Sequence, residues 1–147
     1  KMKESGAPLA GEMSGHMFFA EDWYGFDDAL YATLRLLQIV AADERPLSEH
    51  LAGVPQLVAT PEIRVDCPDD QKFQVVEEVK AAFARDHEIV EIDGVRVVFE
   101  HGWGLVRASN TQPALVLRVE ADAPERTADY RRRLEEAIAA ARSRPGA

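Results

Sequence analysis

The chain reads as an α/β segment followed by a separate α+β domain, and three features carry that reading. Two short apolar runs, Pro8 to Ala10 and Met17 to Phe19, lead into one strongly apolar helix. The stretch Ala52 to Pro61, with one glycine and two prolines, has neither helical nor alternating periodicity and separates two halves. Beyond it the order is strand, helix, several antiparallel strands, helix, the pattern of a two-layer sandwich of antiparallel sheet and two helices.

Each element has a local reason. Lys1 to Gly6 looks like the last turn of a helix closing on glycine, so the chain is expected to begin inside an element, as a piece of something longer would. The two apolar runs are read as strands, with a tight loop, Gly11-Glu12-Met13-Ser14-Gly15-His16, at their junction. Asp27 and Asp28 lie where a helix start favours negative charge, and Leu30, Leu34, Leu37 and Ala41 follow at spacings of 4, 3 and 4. Phe26, Tyr31, Ile39 and Val40 widen that apolar face, which predicts burial against a sheet. Arg45-Pro46 ends the helix, because proline disfavours helical conformation in the residue before it. Leu47 to Leu51 is read as one further turn. The expected division is residues 1–54, a hinge at 55–61 and a domain at 62–147.

In the second half, Glu62 to Cys67 alternates with period two, a half-buried strand. Asp69 or Asp70 is placed to cap a helix running to about Arg85, with Phe73, Val76, Val79 or Lys80, and Phe83 as its inner face. Ile89 to Ile92 and Val95 to Phe99 flank Asp93-Gly94, the signature of a hairpin with a two-residue turn. Trp103 to Val106 and Ala114 to Glu120 are two further strands, the latter with Leu115, Leu117 and Val119 on one face. The last helix is expected to start near Asp122 with Pro124 in its first turn and Glu125 completing a capping box. Tyr130, Leu134, Ile138 and Ala141 form its inner stripe, and the tail from Arg142 to Ala147 is expected to fray.

Composition narrows the function. With 46% hydrophobic and 29% charged residues in 147, the chain has the apolar content of a soluble globular protein. A net charge of −9 argues against nucleic acid as a partner, and Arg131 to Arg133 read as the wet face of a helix. The single cysteine, Cys67, is read as a small strand-end residue; its solitude excludes an internal disulfide framework and fits a reducing, cytoplasmic setting. No stretch is long and apolar enough for a membrane span.

Two polar constellations stand out. The first loop packs the Glu12 carboxylate, the Ser14 hydroxyl and the His16 imidazole between two glycines, which suits either a ligand site or an ordinary hairpin. The second is Arg107-Ala108-Ser109-Asn110-Thr111-Gln112-Pro113. A guanidinium offers a planar fork matched to phosphate oxygens, and hydroxyls, an amide and turn N–H groups add donors, so the segment is apt for a phosphate; a solvated turn is the alternative. Trp103 is read as a packing residue under this loop. His50, His87 and His101 lack partners at metal-ligand spacing, and no bound metal is expected within the chain.

Taken together, Gly-Glu-Met-Ser-Gly-His, the Phe-Phe and Trp-Tyr-Gly-Phe-Asp-Asp that follow, Asp-Gly-Val-Arg-Val, and Gly-Trp-Gly-Leu-Val-Arg-Ala-Ser-Asn-Thr resemble the C-terminal part of the bacterial α-D-phosphohexomutases, phosphomannomutase/phosphoglucomutase branch. The likeness runs from the start of the chain to about Ala141. It implies the end of a third α/β domain followed by a TATA-box-binding-protein-like fourth domain that closes over a cleft. It implies substrate-binding roles for Glu12 and Ser14 at sugar hydroxyls and for Arg107, Ser109, Asn110 and Thr111 at the non-reacting phosphate, with His16 a catalytic proton carrier. The reaction implied interconverts hexose 1-phosphate and hexose 6-phosphate of mannose or glucose through a phosphoserine and a bisphosphorylated sugar. The family's Mg2+ would be bound outside this chain, because neither the phosphoserine loop nor the aspartate-rich metal loop occurs in it. The chain alone is therefore expected to be inactive, and an exposed edge of its first domain to favour self-association. A non-catalytic module that binds a phosphorylated metabolite is the alternative reading.

Overall fold

The structure, a computed structural model, describes residues 2–12 and 14–143. The chain folds into two compact units, Lys1–Val54 and Pro55–Ala147.

In the first unit, α1 (Met2–Ser5) closes through Ala7 N donating to Met2 O at 3.2 Å, with Gly6 at φ +65°. Strands β1 (Leu9–Gly11) and β2 (Met17–Phe19) pair antiparallel, Ala10 opposite Phe18. Helix α2 (Ala29–Ala42) is capped by Asp28, whose carboxylate accepts from Leu30 N and Tyr31 N at 3.0 Å each, and a 3₁₀ turn follows at Leu47–Leu51. The expected burial of α2 is not found: it has no buried residue, and Leu30 is 81% exposed. The reason is size, since a ribbon of two three-residue strands cannot cover a helix that is apolar on most sides. Aromatic contacts stand in for a core, with Trp23 stacked on Tyr31 at 4.3 Å and Phe19 edge-on to Tyr31 at 5.3 Å.

The second unit holds the hydrophobic core. Its sheet runs β3 (Val58–Ala59), β8 (Ala114–Ala121), β7 (Gly102–Ala108), β6 (Val95–Phe99), β5 (Glu88–Val90), and β4 (Ile63–Asp66) also pairs with β8. All pairings are antiparallel. Helices α3 (Lys72–Phe83) and α4 (Pro124–Arg142) cover one face, where Phe99 meets Phe83 edge-on at 6.0 Å and stacks on Tyr130 at 4.1 Å. Val95, Val97, Val106, Leu115, Leu117, Val119, Val79 and Leu134 are fully enclosed there. Cys67 lies just beyond β4 and is buried, which pushes its thiol pKa up.

Several local expectations need correction. Strand β3 lies inside the stretch read as hinge, because Val58 and Ala59 find the edge of β8 and Thr60 N donates to Val119 O at 2.9 Å. The inner face of α3 is Lys72, Val75, Val76, Val79 and Phe83, whereas Phe73 is 61% exposed. Neither Asp69 nor Asp70 caps α3; its N-cap is Gln71, and the Asp69 carboxylate takes Lys72 instead. The capping box of the last helix does not form either, since the N-cap is Ala123 and Asp122 is engaged by Arg126 at 2.6 Å. The Asp93-Gly94 turn is wider than two residues: Val90 pairs with Arg96, leaving a longer loop that ends on Gly94 at φ +77°. Lys1 and the end of the tail from residue 144 lie outside the described residues.

Candidate functional site

The first polar loop is built by the β1–β2 register. Glu12 N donates to His16 O at 2.9 Å and Gly15 N to Glu12 O at 3.0 Å, and Gly15 sits at φ +90°, a left-handed angle that favours glycine. This closure brings the three expected side chains together. Ser14 Oγ lies 3.1 Å from Glu12 Oε2 and 2.6 Å from His16 Nδ1. The hydroxyl has one proton, so if it is given to the carboxylate, Nδ1 must carry its own and donate to Oγ. The other ring nitrogen, Nε2, lies 3.8 Å from Asp27 Oδ2, and Asp27 also accepts from Met17 N at 3.3 Å. All of these groups are exposed, so the cluster presents an acceptor, a hydroxyl and an imidazole to solvent. Sequence reasoning does not find Asp27 as a partner of His16; the signal lies only in its bridge to Phe18, a long-range relationship.

The second loop is the connection between β7 and β8. Arg107 is the penultimate residue of β7, on the sheet face opposite the helices, and its Nη1 lies 3.7 Å from Asp93 Oδ2. Ser109 is buried; its N donates to Ala114 O at 2.9 Å, and its Oγ accepts from Thr111 N at 3.4 Å and Gln112 N at 3.2 Å. With those acceptor positions taken, the hydroxyl proton remains to be donated. Asn110 and Thr111 are exposed at the tip. The loop thus gathers a guanidinium, two hydroxyls and an amide, all of them donors.

Two supports of this loop escape sequence reasoning. Gly94 packs so closely on β7 that a Cβ there would lie 2.4 Å from Val106 O and 2.6 Å from Arg107 Cβ. Lys72 is buried, and its ammonium reaches Ser109 O at 2.6 Å and Gln112 O at 3.4 Å. The available signal is its place on the apolar stripe of α3, one turn before Val75 and Val76. Trp103, expected under the loop, instead lies at the opposite end of β7 with Arg96 stacked over it at 4.6 Å.

A recess of about 290 Å³ adjoins the loop between Phe73, Asp93, Gly94 and Asn110, but Glu77, Glu91 and Asp93 line it. That acidic wall disfavours an anion inside the recess. The remaining histidines are engaged elsewhere: His87 Nε2 with Arg133 at 2.8 Å, His101 between Glu100 and Asp122, His50 facing Asp43 at 3.9 Å. No cluster of three His, Cys, Asp or Glu side chains among the described residues is placed to hold a metal ion. None of the described helices is long and apolar enough to cross a membrane.

The chain thus combines an α/β unit carrying a Glu-Ser-His turn with an α+β unit carrying a donor-rich β7–β8 loop. Comparison with known proteins identifies the family. Residues 1–58 match the family described as "Phosphoglucomutase/phosphomannomutase, alpha/beta/alpha domain III" and residues 62–137 match "Phosphoglucomutase/phosphomannomutase, C-terminal domain". The chain belongs to the phosphoglucomutase/phosphomannomutase family. It is 51% identical over 130 residues to a phosphomannomutase/phosphoglucomutase of Pseudomonas aeruginosa, covering 85% of this chain and 27% of that protein. It is 55% identical over 124 residues to a phosphoglucomutase of Neisseria gonorrhoeae, covering 82% of this chain and 27% of that one. A crystal structure of a phosphoglucomutase/phosphomannomutase family protein from Burkholderia thailandensis superposes with a TM-score of 0.81 at 42% identity, over 99% of this chain and 31% of that chain. The chain therefore spans about a quarter to a third of the length of these relatives.

Proposed function

We propose that this chain supplies substrate-binding segments of a phosphomannomutase/phosphoglucomutase, the enzyme type its relatives are named for. In this reading Arg107, Ser109, Asn110 and Thr111 hold the phosphate that is not being transferred. Glu12 and Ser14 take hydroxyls of a mannose or glucose phosphate. The observation that carries the proposal is the Ser109 hydroxyl, whose acceptor capacity is taken up by Thr111 N and Gln112 N so that its proton is left to donate.

His16 serves as the proton carrier. Its Nδ1 is held by Ser14, so a proton leaves or reaches the ring at Nε2, on the side that faces Asp27. The Mg2+ on which the family's chemistry depends finds no ligand cluster among the described residues. Phosphoryl transfer also needs a nucleophile and charge neutralisation that these two loops do not provide, so the proposal includes inactivity of the isolated chain. A glucose 1-phosphate assay coupled to glucose 6-phosphate detection checks that point; robust turnover would refute it. Self-association through the edges of β1 and β2 and the apolar surface of α2, and a cytoplasmic location, complete the proposal.

The deciding experiment is titration of the chain with glucose 6-phosphate, with glucose as control. Binding that needs the phosphate and falls about tenfold or more in Arg107→Ala supports the reading. Equal affinity of Arg107→Ala and the parent overturns it.

A further inference from the structure

Lys72 is a buried cation that supports the β7–β8 loop without being among its exposed groups. Its ammonium carries three protons and has three acceptors: Asp69 Oδ1 at 2.6 Å, Ser109 O at 2.6 Å and Gln112 O at 3.4 Å. Two of these are main-chain carbonyls on either side of the tip of the β7–β8 loop, some 37 and 40 residues away in sequence. Burying an ammonium is costly unless every proton is paired, so the arrangement ties the loop's position to that of α3.

The consequence follows from peptide geometry. The carbonyl of Ser109 and the N–H of Asn110 belong to one planar trans unit, in which C=O and N–H point in opposite directions. No cis peptide bond occurs among the described residues. A carbonyl turned inward onto Lys72 therefore turns the Asn110 N–H outward, to the side opposite the ammonium. The same hydrogen bond polarises the unit, which makes that N–H a stronger donor. Ser109 Oγ meanwhile gathers the Thr111 and Gln112 N–H groups, so the loop tip keeps one conformation.

We infer that Lys72 is a positioning residue of the phosphate loop: from beneath, it fixes the Ser109–Asn110 peptide so that the Asn110 main-chain N–H faces the anion alongside Arg107. Its charge acts on the ligand through the backbone rather than by contact. This rests on the reading of Arg107 to Thr111 as an anion grip.

The test is a titration of the full chain with glucose 6-phosphate and, separately, inorganic phosphate, followed by amide NMR. The variants are Lys72→Met, which keeps the stem but not the charge, and Arg107→Ala, which tests the underlying reading. Lys72→Met is expected to weaken binding of both ligands about tenfold and to move the free-state amide signals of Asn110, Thr111 and Gln112. Amides of Val97 and Leu117 in the core are expected to stay in place. Affinity within about twofold of the parent, with Arg107→Ala still defective, overturns the role of Lys72 and leaves the anion grip standing. No phosphate binding by the parent removes both. Should Lys72→Met not fold, the parent itself decides: on adding phosphate the Lys72 Nζ–H signals are expected to shift along the saturation curve of the Asn110 amide. An ammonium signal unmoved at saturation overturns the inference.

Discussion

Asp93 and Arg107 face each other across neighbouring hairpins, carboxylate to guanidinium at 3.7 Å, while Gly94, the next residue along, touches the Arg107 backbone. The turn thus sets where Arg107 sits and also places a negative charge beside it. Asp93 is 65% exposed, so its pairing with Arg107 is weak. For an incoming dianion the nearby carboxylate is a competitor. Asp93→Asn is expected to tighten glucose 6-phosphate binding by about two- to fivefold at low salt. The gain is expected to shrink as ionic strength rises, which titration at two salt concentrations reads directly.

Gly94→Ala tests the contact. At φ +77°, with a new Cβ 2.4 Å from Val106 O, the substitution is strained in both conformation and space. A loss of about 1–3 kcal/mol in urea unfolding is expected from the backbone angle alone. Because β7 must move to relieve the overlap, phosphate binding through Arg107 is expected to weaken as well. A fully stable variant with parental binding would show that this turn does not position Arg107.

These residues also show where sequence reading succeeds and stops. The inner stripe Tyr130, Leu134, Ile138 and Ala141 is legible because helical spacing and burial coincide, and all four are buried. The side chains of Glu12, Ser14 and His16 cluster as their proximity in sequence suggests, and Ser109 turns the loop that its neighbours announce. What sequence does not carry is tertiary. Nothing in the sequence names the partner of Lys72, since Ser109 O lies 37 residues on. Phe73 looks like core until Lys72 takes the inward position beside it. The helices start later than the pattern suggests, with N-caps Gln71 and Ala123, and the carboxylates of Asp69 and Asp122, now ahead of the first turn, pair with Lys72 and Arg126. The apolar surface of α2 is plain in the sequence but its cover is not, since amphipathicity does not say what lies against it.

Packing of α4 on the sheet depends on one absent side chain. A Cβ on Gly104 would lie 2.4 Å from Leu134 Cδ1, and Leu134 itself is fully buried. Leu134→Ala is expected to cost about 2–5 kcal/mol by emptying that space. Gly104→Ala is expected to cost about 1–3 kcal/mol by overpacking it. The double variant is expected to be more stable than the sum of the two losses allows, by about 0.5 kcal/mol or more, because the alanine methyl occupies room that leucine has vacated. Urea unfolding of the four proteins gives the coupling; strict additivity would mean that the two positions do not share the space.

Acid sensitivity has a named contributor at the start of α4. The Arg126 guanidinium beside Asp122 holds its carboxyl below the usual value of 3.8, with His101 adding in the same direction. A carboxyl whose folded-state pKa is lowered stabilises the fold at pH above its unfolded value, and that stabilisation is lost as pH falls through the folded value. Asp122→Asn is expected to lower the urea midpoint modestly at pH 7 and to match the parent well below pH 3.8, where both side chains are neutral. A difference that persists undiminished in acid would point to the hydrogen bond rather than the charge.

The hydroxyl between Glu12 and His16 selects a tautomer of the ring. Ser14 Oγ lies 3.1 Å from a carboxylate oxygen that can only accept and 2.6 Å from His16 Nδ1. With its single proton directed to Glu12, neutral His16 is held with the proton on Nδ1 and the lone pair on Nε2, the nitrogen that faces Asp27 at 3.8 Å. Nitrogen-15 NMR of the imidazole distinguishes the two tautomers. The parent is expected to favour Nδ1–H in its neutral form. Ser14→Ala removes the hydroxyl at Nδ1 and leaves Glu12 Oε2 at 3.6 Å from Nδ1 and Asp27 Oδ2 at 3.8 Å from Nε2, so the preference for Nδ1–H is expected to weaken. If the ring reports Nε2–H in the parent and does not respond to the substitution, Ser14 gives its proton to His16 instead, and Nε2 is not the basic nitrogen that the proposed proton-carrying role requires.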